Sequence, residues 1–312
     1  MKWSKQGLIF SSCGQYPWMQ SHAALPVTMP LGGSLYRVYF ASRDSENRAY
    51  VCFLEFDVLM PANIYHISTD YILAPGPLGY FDHDGVLPAS IVKNNQELFM
   101  FYTGWNRGAR TPLWYGAIGL AVSEDNGITF RKMFSTPIMA RSEFDPCLVA
   151  SPCVMIESGI WRMWYVSGLK WQESGESLKS CYHIKYAESK DGIHWVRSGL
   201  ICLDLEEGES NIARPCVIKD DGIYKMWYSF EFGQGYRIGY AESPDGYAWT
   251  RMDNEVGIDL SESGWDSKAM AYPWVFFHEG NKYMLYNGNE FGREGFGLAV
   301  ESEESIRGRY LP

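Results

Sequence analysis

No stretch of the chain approaches the roughly 20 consecutive apolar residues that a membrane-spanning helix requires. The N-terminal residues also lack the apolar stretch of a secretory signal peptide, so we expect a cytoplasmic protein without a membrane span. Lys and Arg form no cluster, and the net charge is −10, which would repel a phosphate backbone. Nucleic acid is therefore not an expected partner.

Cysteine pairs and several common catalytic motifs are also absent. The seven Cys residues include no Cys-x-x-Cys pair, and Cys153 and Cys216 each follow a Pro at equivalent repeat positions, which indicates small core residues. We therefore expect seven reduced thiols, as in the cytoplasm. No Gly-rich phosphate loop and no Gly-x-Ser-x-Gly elbow occurs, which excludes the nucleotide-binding and serine-hydrolase chemistries that depend on them.

No segment shows sustained helical periodicity, whereas aromatic residues are abundant. They make up 16% of the chain, with 12 Trp, 21 Tyr and 16 Phe. Aromatic side chains favour β-strands, and an exposed aromatic face can also stack on a sugar ring. The composition therefore predicts an all-β protein.

Similar segments recur along the chain. Each opens with a Pro and an apolar run, and consecutive Pro residues are 58 to 64 positions apart: Pro26, Pro88, Pro152, Pro215 and Pro273. Turn residues separate this run from a second run, which carries an aromatic residue in every copy: Phe40, Tyr102, Tyr165, Tyr228 and Tyr286. This order of apolar runs and turn residues predicts a β-hairpin in every repeat.

The repeats continue into a third run and a tight turn that opens with Asp. The turn residues Asp125, Asp191 and Asp245 are assigned to local hydrogen bonding and not to catalysis. A further strand follows each turn, so one repeat should hold four antiparallel strands, the pattern of a propeller blade. We predict a single domain over residues 1–312, folded as a five-bladed β-propeller.

The last repeat lacks its fourth strand, because only a short polar tail follows Val300. At the other end of the chain, Trp3 and Lys5 match the Trp and Arg of the fourth strands at residues 195–197 and 249–251. We therefore predict that the N-terminal strand completes the last blade and protects the seam of the ring. A tail that packs elsewhere is the alternative.

Polar residues are concentrated in the loops before the first strands and at the ends of the second strands. In a propeller these positions share one end of the central channel, so we expect their side chains to converge there. The candidate catalytic carboxylates are Asp84, Asp145, Glu209 and Glu231. The candidate substrate-binding residues are His22, Arg43, Asp82, Trp105, Arg214, Asp266, Lys268 and Tyr272.

Some of these residues have competing interpretations. His22, Asp82, His83 and Asp84 are suitable metal ligands, but a His-Asp run without a helical or Cys-x-x-Cys frame is weak evidence for a metal. Turn formation competes with function at Asp84 and Glu209. We expect neither a bound metal nor a cofactor.

These features resemble the five-bladed glycosidases of the arabinanase, invertase and levansucrase superfamily, and the related mannoside phosphorylases. The Pro-led first strands, the Trp-Tyr second strands and the Ala-Glu-Ser-x-Asp-Gly-x-x-Trp hairpins carry the resemblance, which spans essentially the whole chain. It implies a carbohydrate or sugar-phosphate ligand at the channel. Residues 123–130 also resemble the sialidase Asp-box, which we interpret as an element of architecture only.

The chain departs from the catalytic pattern of that superfamily, whose members place an Asp before the Pro in the first and third blades and a Glu near it in the fourth. The corresponding positions are Leu25, Ser151 and the pair Ala213 and Arg214, none of which is a carboxylate. Hydrolysis usually needs two carboxyl groups about 5–9.5 Å apart, which other positions would have to supply. The departure leaves room for a transferase or phosphorylase in which basic side chains hold phosphate.

We therefore predict a carbohydrate-active enzyme that acts on a glycosidic or sugar-phosphate bond in the channel. Asp84 is the first candidate for the acid or base, with Glu209 or Glu231 as its partner. A catalytically inert propeller that binds a sugar, a glycan or another protein is the alternative. Carboxylates facing each other across the channel would favour the enzyme, whereas carboxylates that are all neutralised by Arg or turn amides would favour the binding protein.

Overall fold

The computed structural model describes residues 1–175, 177–233 and 235–302. Almost every regular element in this range is a β-strand, which confirms the all-β prediction. The strands are β1 Trp3–Phe10, β2 Ser21–Gly32, β3 Leu35–Arg43, β4 Ala49–Asp57, β5 Ile64–Ile67, β6 Gly85–Asn94, β7 Glu97–Arg107, β8 Trp114–Ser123, β9 Arg131–Lys132, β10 Leu148–Glu157, β11 Ile160–Ser174, β12 Ser177–Ser189, β13 Trp195–Leu203, β14 Glu209–Asp220, β15 Ile223–Phe232, β16 Tyr236–Ser243, β17 Thr250–Arg251, β18 Ala271–His278, β19 Asn281–Asn287 and β20 Phe296–Glu301. A 3-10 turn at Asp253–Glu255 and a helical segment at Asn289–Gly292 are the other regular elements described.

The strands form three sheets that follow the sequence repeats. One sheet has four strands in the order β1, β20, β19 and β18, and each of the other two has eight strands. Each larger sheet joins two consecutive repeats through one parallel pair, Ala49 with Gly85 in the first and Tyr182 with Asn211 in the second. No helix in the described ranges is long and apolar enough to cross a membrane.

Local turn chemistry produces the hairpins within each repeat. Asn95 and Asp221, between first and second strands, have φ values of 57° and 52°, which Asn and Asp tolerate better than most residues. The turn residues Asp125, Asp191 and Asp245 accept hydrogen bonds from backbone N–H groups two to four residues further on. These bonds are the local ones that the sequence predicts for the three Asp residues.

The N-terminal strand β1 pairs antiparallel with β20, and Trp3 lies opposite Glu301. The fourth position of the last repeat is therefore occupied by the other end of the chain, as the match of Trp3 with Trp195 and Trp249 predicts. Trp3 is 7% exposed, and its ring lies 6.1 Å from the ring of Trp227 in the preceding repeat.

Apolar clusters fill the space between consecutive repeats. One cluster joins the last repeat to the first, with the ring of Phe40 on β3 5.7 Å from that of Phe296 on β20. All seven cysteines are free. The thiols of Cys153 and Cys216 are buried between repeats and accept backbone hydrogen bonds from Val217 and Val275. Residues 303–312, part of the predicted domain, lie outside the described residues.

The contacts of Trp3 predict that β1 contributes strongly to stability. Replacing Trp3 with Ala removes a buried aromatic side chain and should lower the free energy of unfolding by about 3–5 kcal/mol. Leu8→Ala, on the same strand at a position that is 44% exposed, should cost less than about 1 kcal/mol. Urea unfolding followed by tryptophan fluorescence and circular dichroism measures both. Equal stability of the parent and Trp3→Ala would show that β1 contributes little.

Candidate functional site

The first strands are bulged at the residue before their Pro in four repeats. Leu25, Ser151, Arg214 and Tyr272 have φ values between 47° and 57°, in the left-handed region. The register between first and second strands shifts at these points. A residue other than Gly pays about 1–2 kcal/mol for this conformation, so the surroundings must stabilise it.

Side chains of the preceding repeat hold the bulges in place. The backbone N–H of Ser151 donates to Thr103 Oγ1 at 2.8 Å, and the backbone N–H of Tyr272 donates to Ser229 Oγ at 2.7 Å. Thr103 and Ser229 are buried on second strands. Polar residues near the ends of the second strands therefore fix the backbone of the neighbouring first strands, and with it the position of Tyr272.

Arg214 lies where three repeats meet. It belongs to the fourth repeat and donates from Nη1 to the carbonyl of Pro88 at 3.1 Å and from Nη2 to the carbonyl of Pro26 at 3.3 Å. Burial lowers the pKa of its guanidinium to about 10. Within the described part of the chain, its Nε has no hydrogen-bond partner and no carboxylate pairs with it. Arg214 therefore places an unneutralised positive charge at this point.

Tyr272 has other predicted site residues around it. Burial raises the pKa of its hydroxyl, Tyr182 and the charge of Glu231 raise it further, and the charges of Arg43 and Arg214 lower it. The ring of Tyr272 also lies 6.1 Å from that of Tyr236, the residue opposite Glu231 on the neighbouring strand. We call Arg43, Arg214, Glu231 and Tyr272 the central cluster.

Glu231 is the carboxylate of the central cluster. Its Oε2 accepts hydrogen bonds from Ser210 Oγ at 2.8 Å and from Asn211 Nδ2 at 2.6 Å. No Lys, Arg or His among the described residues forms an ion pair with Glu231, and no described residue donates to its Oε1. Tyr236 lies opposite Glu231 on the neighbouring strand, and its hydroxyl is 2.6 Å from the hydroxyl of Tyr182.

Positive charge extends from the central cluster to His22. Burial and the charges of Arg43 and Arg293 lower the pKa of His22 to about 3, so the imidazole is neutral near pH 7. Arg43 donates to Asn47 Oδ1 at 2.8 Å, and no carboxylate in the described ranges pairs with it. The surroundings of His22 and Arg43 therefore favour a bound anion.

Two candidate carboxylates, Asp84 and Glu209, are neutralised by neighbouring groups. Asp84 accepts a hydrogen bond from the backbone N–H of Arg107 at 2.8 Å, and its Oδ1 lies 3.5 Å from Nε of the same arginine. Its Oδ2 lies 3.1 Å from His83 Nε2. Glu209 forms a bidentate pair with Arg251, with contacts of 2.6 and 2.8 Å. Both carboxylates therefore differ from Glu231, which contacts only neutral hydrogen-bond donors among the described residues.

Asp82, Asp145 and Asp266 occupy equivalent buried positions in three repeats. Each accepts a hydrogen bond from the Tyr of its second strand and pairs with a cation supplied by a fourth strand. The cation–carboxylate distances are 2.6 Å for Lys132 with Asp82, 2.8 Å for Arg197 with Asp145 and 2.7 Å for Lys5 with Asp266. The tyrosines are Tyr102, Tyr165 and Tyr286. We call these groups the Tyr-Asp-cation triads.

The last two predicted residues lie in other surroundings. Trp105 is half-buried, and its indole packs so closely on Gly85 that a Cβ there would clash with it. The side chain of Lys268 is exposed, and its backbone N–H donates to Asn289 Oδ1 at 2.9 Å. Among the described residues, no group of three or more His, Cys, Asp or Glu could hold a metal ion.

Sequence reasoning missed Tyr182, Tyr236, Phe291 and Arg293. Tyr182 lies on a hairpin formed by β11 and β12, which are 15 and 13 residues long and thus longer than the other strands. The longer interval between the turns that flank this hairpin is visible in the sequence and could have pointed to Tyr182. Phe291 and Arg293 lie in residues 288–295, the connection between the second and third strands of the last repeat. This connection differs in length and sequence from repeat to repeat, so the repeat pattern could not reveal them.

No family model matches the sequence. Two Mycobacterium tuberculosis sequences, Uncharacterized protein MT1551 (strain CDC 1551 / Oshkosh) and Uncharacterized protein Rv1502 (strain ATCC 25618 / H37Rv), are 40% identical to it over 301 residues, which is 96% of this chain and 99% of each relative. The protein belongs to their family. A more distant relative, the 1,2-beta-oligomannan phosphorylase of Thermoanaerobacter sp. (strain X514), is 26% identical over 151 residues, 45% of this chain and 48% of that protein.

Solved structures share the fold at low sequence identity. A glycoside hydrolase has a TM-score of 0.74 at 16% identity, with 96% of this chain and 91% of the hydrolase covered. A thermostable family-43 glycoside hydrolase has a TM-score of 0.67 at 16% identity, with 90% and 89% covered. The Bombyx mori GH32 beta-fructofuranosidase BmSUC1 has a TM-score of 0.63 at 13% identity, with 97% and 68% covered. These similarities confirm the resemblance to the glycosidase superfamily at the level of the fold.

The lowered pKa of His22 predicts a specific loss of stability in acid. The unfolded polypeptide takes up a proton on this residue below about pH 6.5, whereas the folded protein does so only near about pH 3, so stability falls as the pH falls through that window. His22→Gln removes this proton uptake and should lose less stability than the parent between about pH 7 and pH 4.

Urea unfolding midpoints measured across that pH range test this expectation. Arg43→Gln provides a second comparison. Removing one of the two arginine charges near His22 should raise the pKa of its imidazole and reduce the loss of stability in acid. Parallel stability profiles for the parent and His22→Gln would contradict the assignment.

Proposed function

We propose that this protein is an enzyme that transfers a glycosyl group from a glycoside to inorganic phosphate. The observation that supports the proposal is that one candidate carboxylate and one arginine of the central cluster lack an oppositely charged partner. Among the described residues, Glu231 has no cationic partner and Arg43 has no carboxylate partner. The other candidate carboxylates, Asp84, Asp145 and Glu209, each pair with an arginine.

One unpaired carboxylate is not enough for ordinary glycoside hydrolysis, which uses an acid and a second carboxylate that acts as base or nucleophile. Phosphate is already an anionic nucleophile, so its attack needs no base and one carboxylic acid suffices. Arg side chains hold phosphate through charge-assisted hydrogen bonds. In this proposal Glu231 faces the sugar oxygen, Arg43 and His22 contact phosphate, and Arg214 adds positive potential.

In the proposed step, protonated Glu231 donates its proton to the glycosidic oxygen as the bond from that oxygen to the anomeric carbon breaks. A phosphate oxygen forms the new bond to the anomeric carbon. The products are a glycosyl phosphate and a sugar with a free hydroxyl. The proton of hydrogen phosphate replaces the one that Glu231 gives up, so the reaction balances with phosphate as the only co-substrate.

The relatives support both the acceptor and the ligand class. The Thermoanaerobacter relative is named as a phosphorylase of 1,2-beta-oligomannan, and phosphorylases use phosphate as acceptor. The solved structures with the same fold include glycoside hydrolases, which favours a carbohydrate ligand. We therefore propose β-1,2-linked mannosides as the first substrate class to test.

We further propose that the site lies at the mouth of a five-bladed propeller formed by one domain, residues 1–312. Contacts among the first strands support a ring: β2, β6, β10, β14 and β18 contact one another in that order, and β18 contacts β2. Arg214 bonds to two other first strands across this ring. Seven free cysteines favour a reducing compartment, so we propose the cytoplasm as the setting.

The decisive variant is Glu231→Gln. Gln still accepts hydrogen bonds from Ser210 and Asn211 but donates no acidic proton, so kcat should fall about 10²–10⁴-fold while the melting temperature stays nearly constant. The assay measures phosphate consumption with β-1,2-mannobiose and phosphate release from mannose 1-phosphate with mannose as acceptor. Parental turnover in Glu231→Gln would exclude Glu231 as the acid.

Two matched variants separate catalysis from structure. Glu209→Gln weakens the pair with Arg251, so it should lower stability by about 1–3 kcal/mol and retain most of the turnover. Asp84→Asn should reduce kcat far less than Glu231→Gln, and a larger loss at unchanged melting temperature would favour Asp84 instead. A parent protein that binds glycan without turning it over would favour the inert binding propeller.

A further inference from the structure

Residues 288–295 carry an unusual backbone conformation beside the central cluster. Glu290 and Phe291 are consecutive residues with φ values of 53° and 58°, and neither is Gly. A single residue in this region is uncommon, and two in succession are retained only when the surroundings impose them. Strain of this kind concentrates at ligand-binding sites.

Buried amide groups impose this conformation. Asn289 Oδ1 accepts hydrogen bonds from the backbone N–H groups of Lys268 at 2.9 Å and Ala269 at 3.1 Å, and its Nδ2 donates to the carbonyl of Gly264 at 3.0 Å. On the other side of the strained pair, Gly292 has a φ of 88°. A Cβ atom at Gly292 would lie 2.5 Å from Asn287 Nδ2, so a larger residue at this position would displace the Asn287 side chain. The segment is therefore anchored at both ends of the strained pair.

The anchored segment holds an apolar ring in solvent. Phe291 is 55% exposed, and its ring lies 5.9 Å from the ring of Tyr236 in an edge-to-face arrangement. Tyr236 is the residue opposite Glu231, and its hydroxyl contacts Tyr182. Because more than half of the Phe291 side chain stays in solvent, burial stabilises this position only in part, and the strained backbone adds a conformational cost.

We propose that Phe291 is the stacking platform for a pyranose ring of the substrate, at the entrance to the site that contains Glu231. The apolar C–H face of a pyranose matches the flat face of a Phe ring. Tyr236, whose ring contacts Phe291, is buried and its hydroxyl is hydrogen-bonded to that of Tyr182, so Phe291 presents the exposed apolar surface at this point. This inference rests on the proposed function only in taking a glycan as the ligand. It makes Phe291 a substrate-binding residue.

Calorimetric titration tests the platform without requiring turnover. The probes are β-1,2-mannobiose, β-1,2-mannotriose, cellobiose and mannose 1-phosphate, titrated into the parent, Phe291→Ala, Phe291→Trp and Tyr65→Ala. Tyr65 is a matched control, because it is an aromatic residue with 59% exposure on β5. Phe291→Ala should raise Kd for the bound saccharide about tenfold, whereas Phe291→Trp and Tyr65→Ala should stay within about threefold of the parent.

The outcomes separate this proposal from the proposed reaction. A higher Kd in Phe291→Ala at an unchanged melting temperature supports the platform. If the parent shows no turnover in that case, the platform stands and phosphorolysis is overturned. An unchanged Kd in Phe291→Ala overturns the platform, whether or not the parent turns over. A parent that binds none of the four probes overturns the platform, and if that parent also consumes no phosphate, it overturns both proposals.

Discussion

A carboxylate that leaves water must find a cation or a set of hydrogen-bond donors, because an unpaired buried charge costs several kcal/mol. Asp82, Asp145 and Asp266 are each at most 2% exposed, so each depends on this rule. Their cations come from fourth strands, and their tyrosines come from second strands. Each Tyr-Asp-cation triad thereby ties the loop before the first strand to the outer part of the same repeat, and the loop that contains Asp266 leads into β18, which carries Tyr272 of the central cluster.

The same constraint explains why the N-terminus packs on the last repeat. Lys5 on β1 supplies the cation for Asp266, in the position that Lys132 and Arg197 occupy for their own repeats. Trp3 adds an apolar anchor against Trp227. An ion pair with one partly exposed partner is a modest contribution by itself, so the buried Trp supplies most of the stabilisation, and Lys5 satisfies a carboxylate that would otherwise be unpaired.

Against this background of paired charges, Glu231 and Arg43 differ, because neither has an oppositely charged partner among the described residues. His22 lies in the same positive potential, because burial and the charges of two arginines lower its pKa. Phe291 is the apolar counterpart, an exposed ring held in a strained segment beside Tyr236. Glu231, the two arginines and the exposed ring of Phe291 all lie around one group of tyrosines, and each has a role in the glycosyl transfer to phosphate that we propose.

Sequence alone determined the strand-rich class, the repeat, the turn role of Asp125 and its equivalents, and the match of Trp3 with other fourth strands, because spacing and turn chemistry are local properties. It also placed Arg43, Arg214, Glu231 and Tyr272 at one end of the strands. It could not separate Glu231 from Asp145 or Glu209, because their cations, Arg197 and Arg251, arrive from strands 52 and 42 residues away. Only the tertiary structure decided which carboxylates are neutralised, and only it revealed Phe291, whose exposure depends on amide contacts that no periodic pattern encodes.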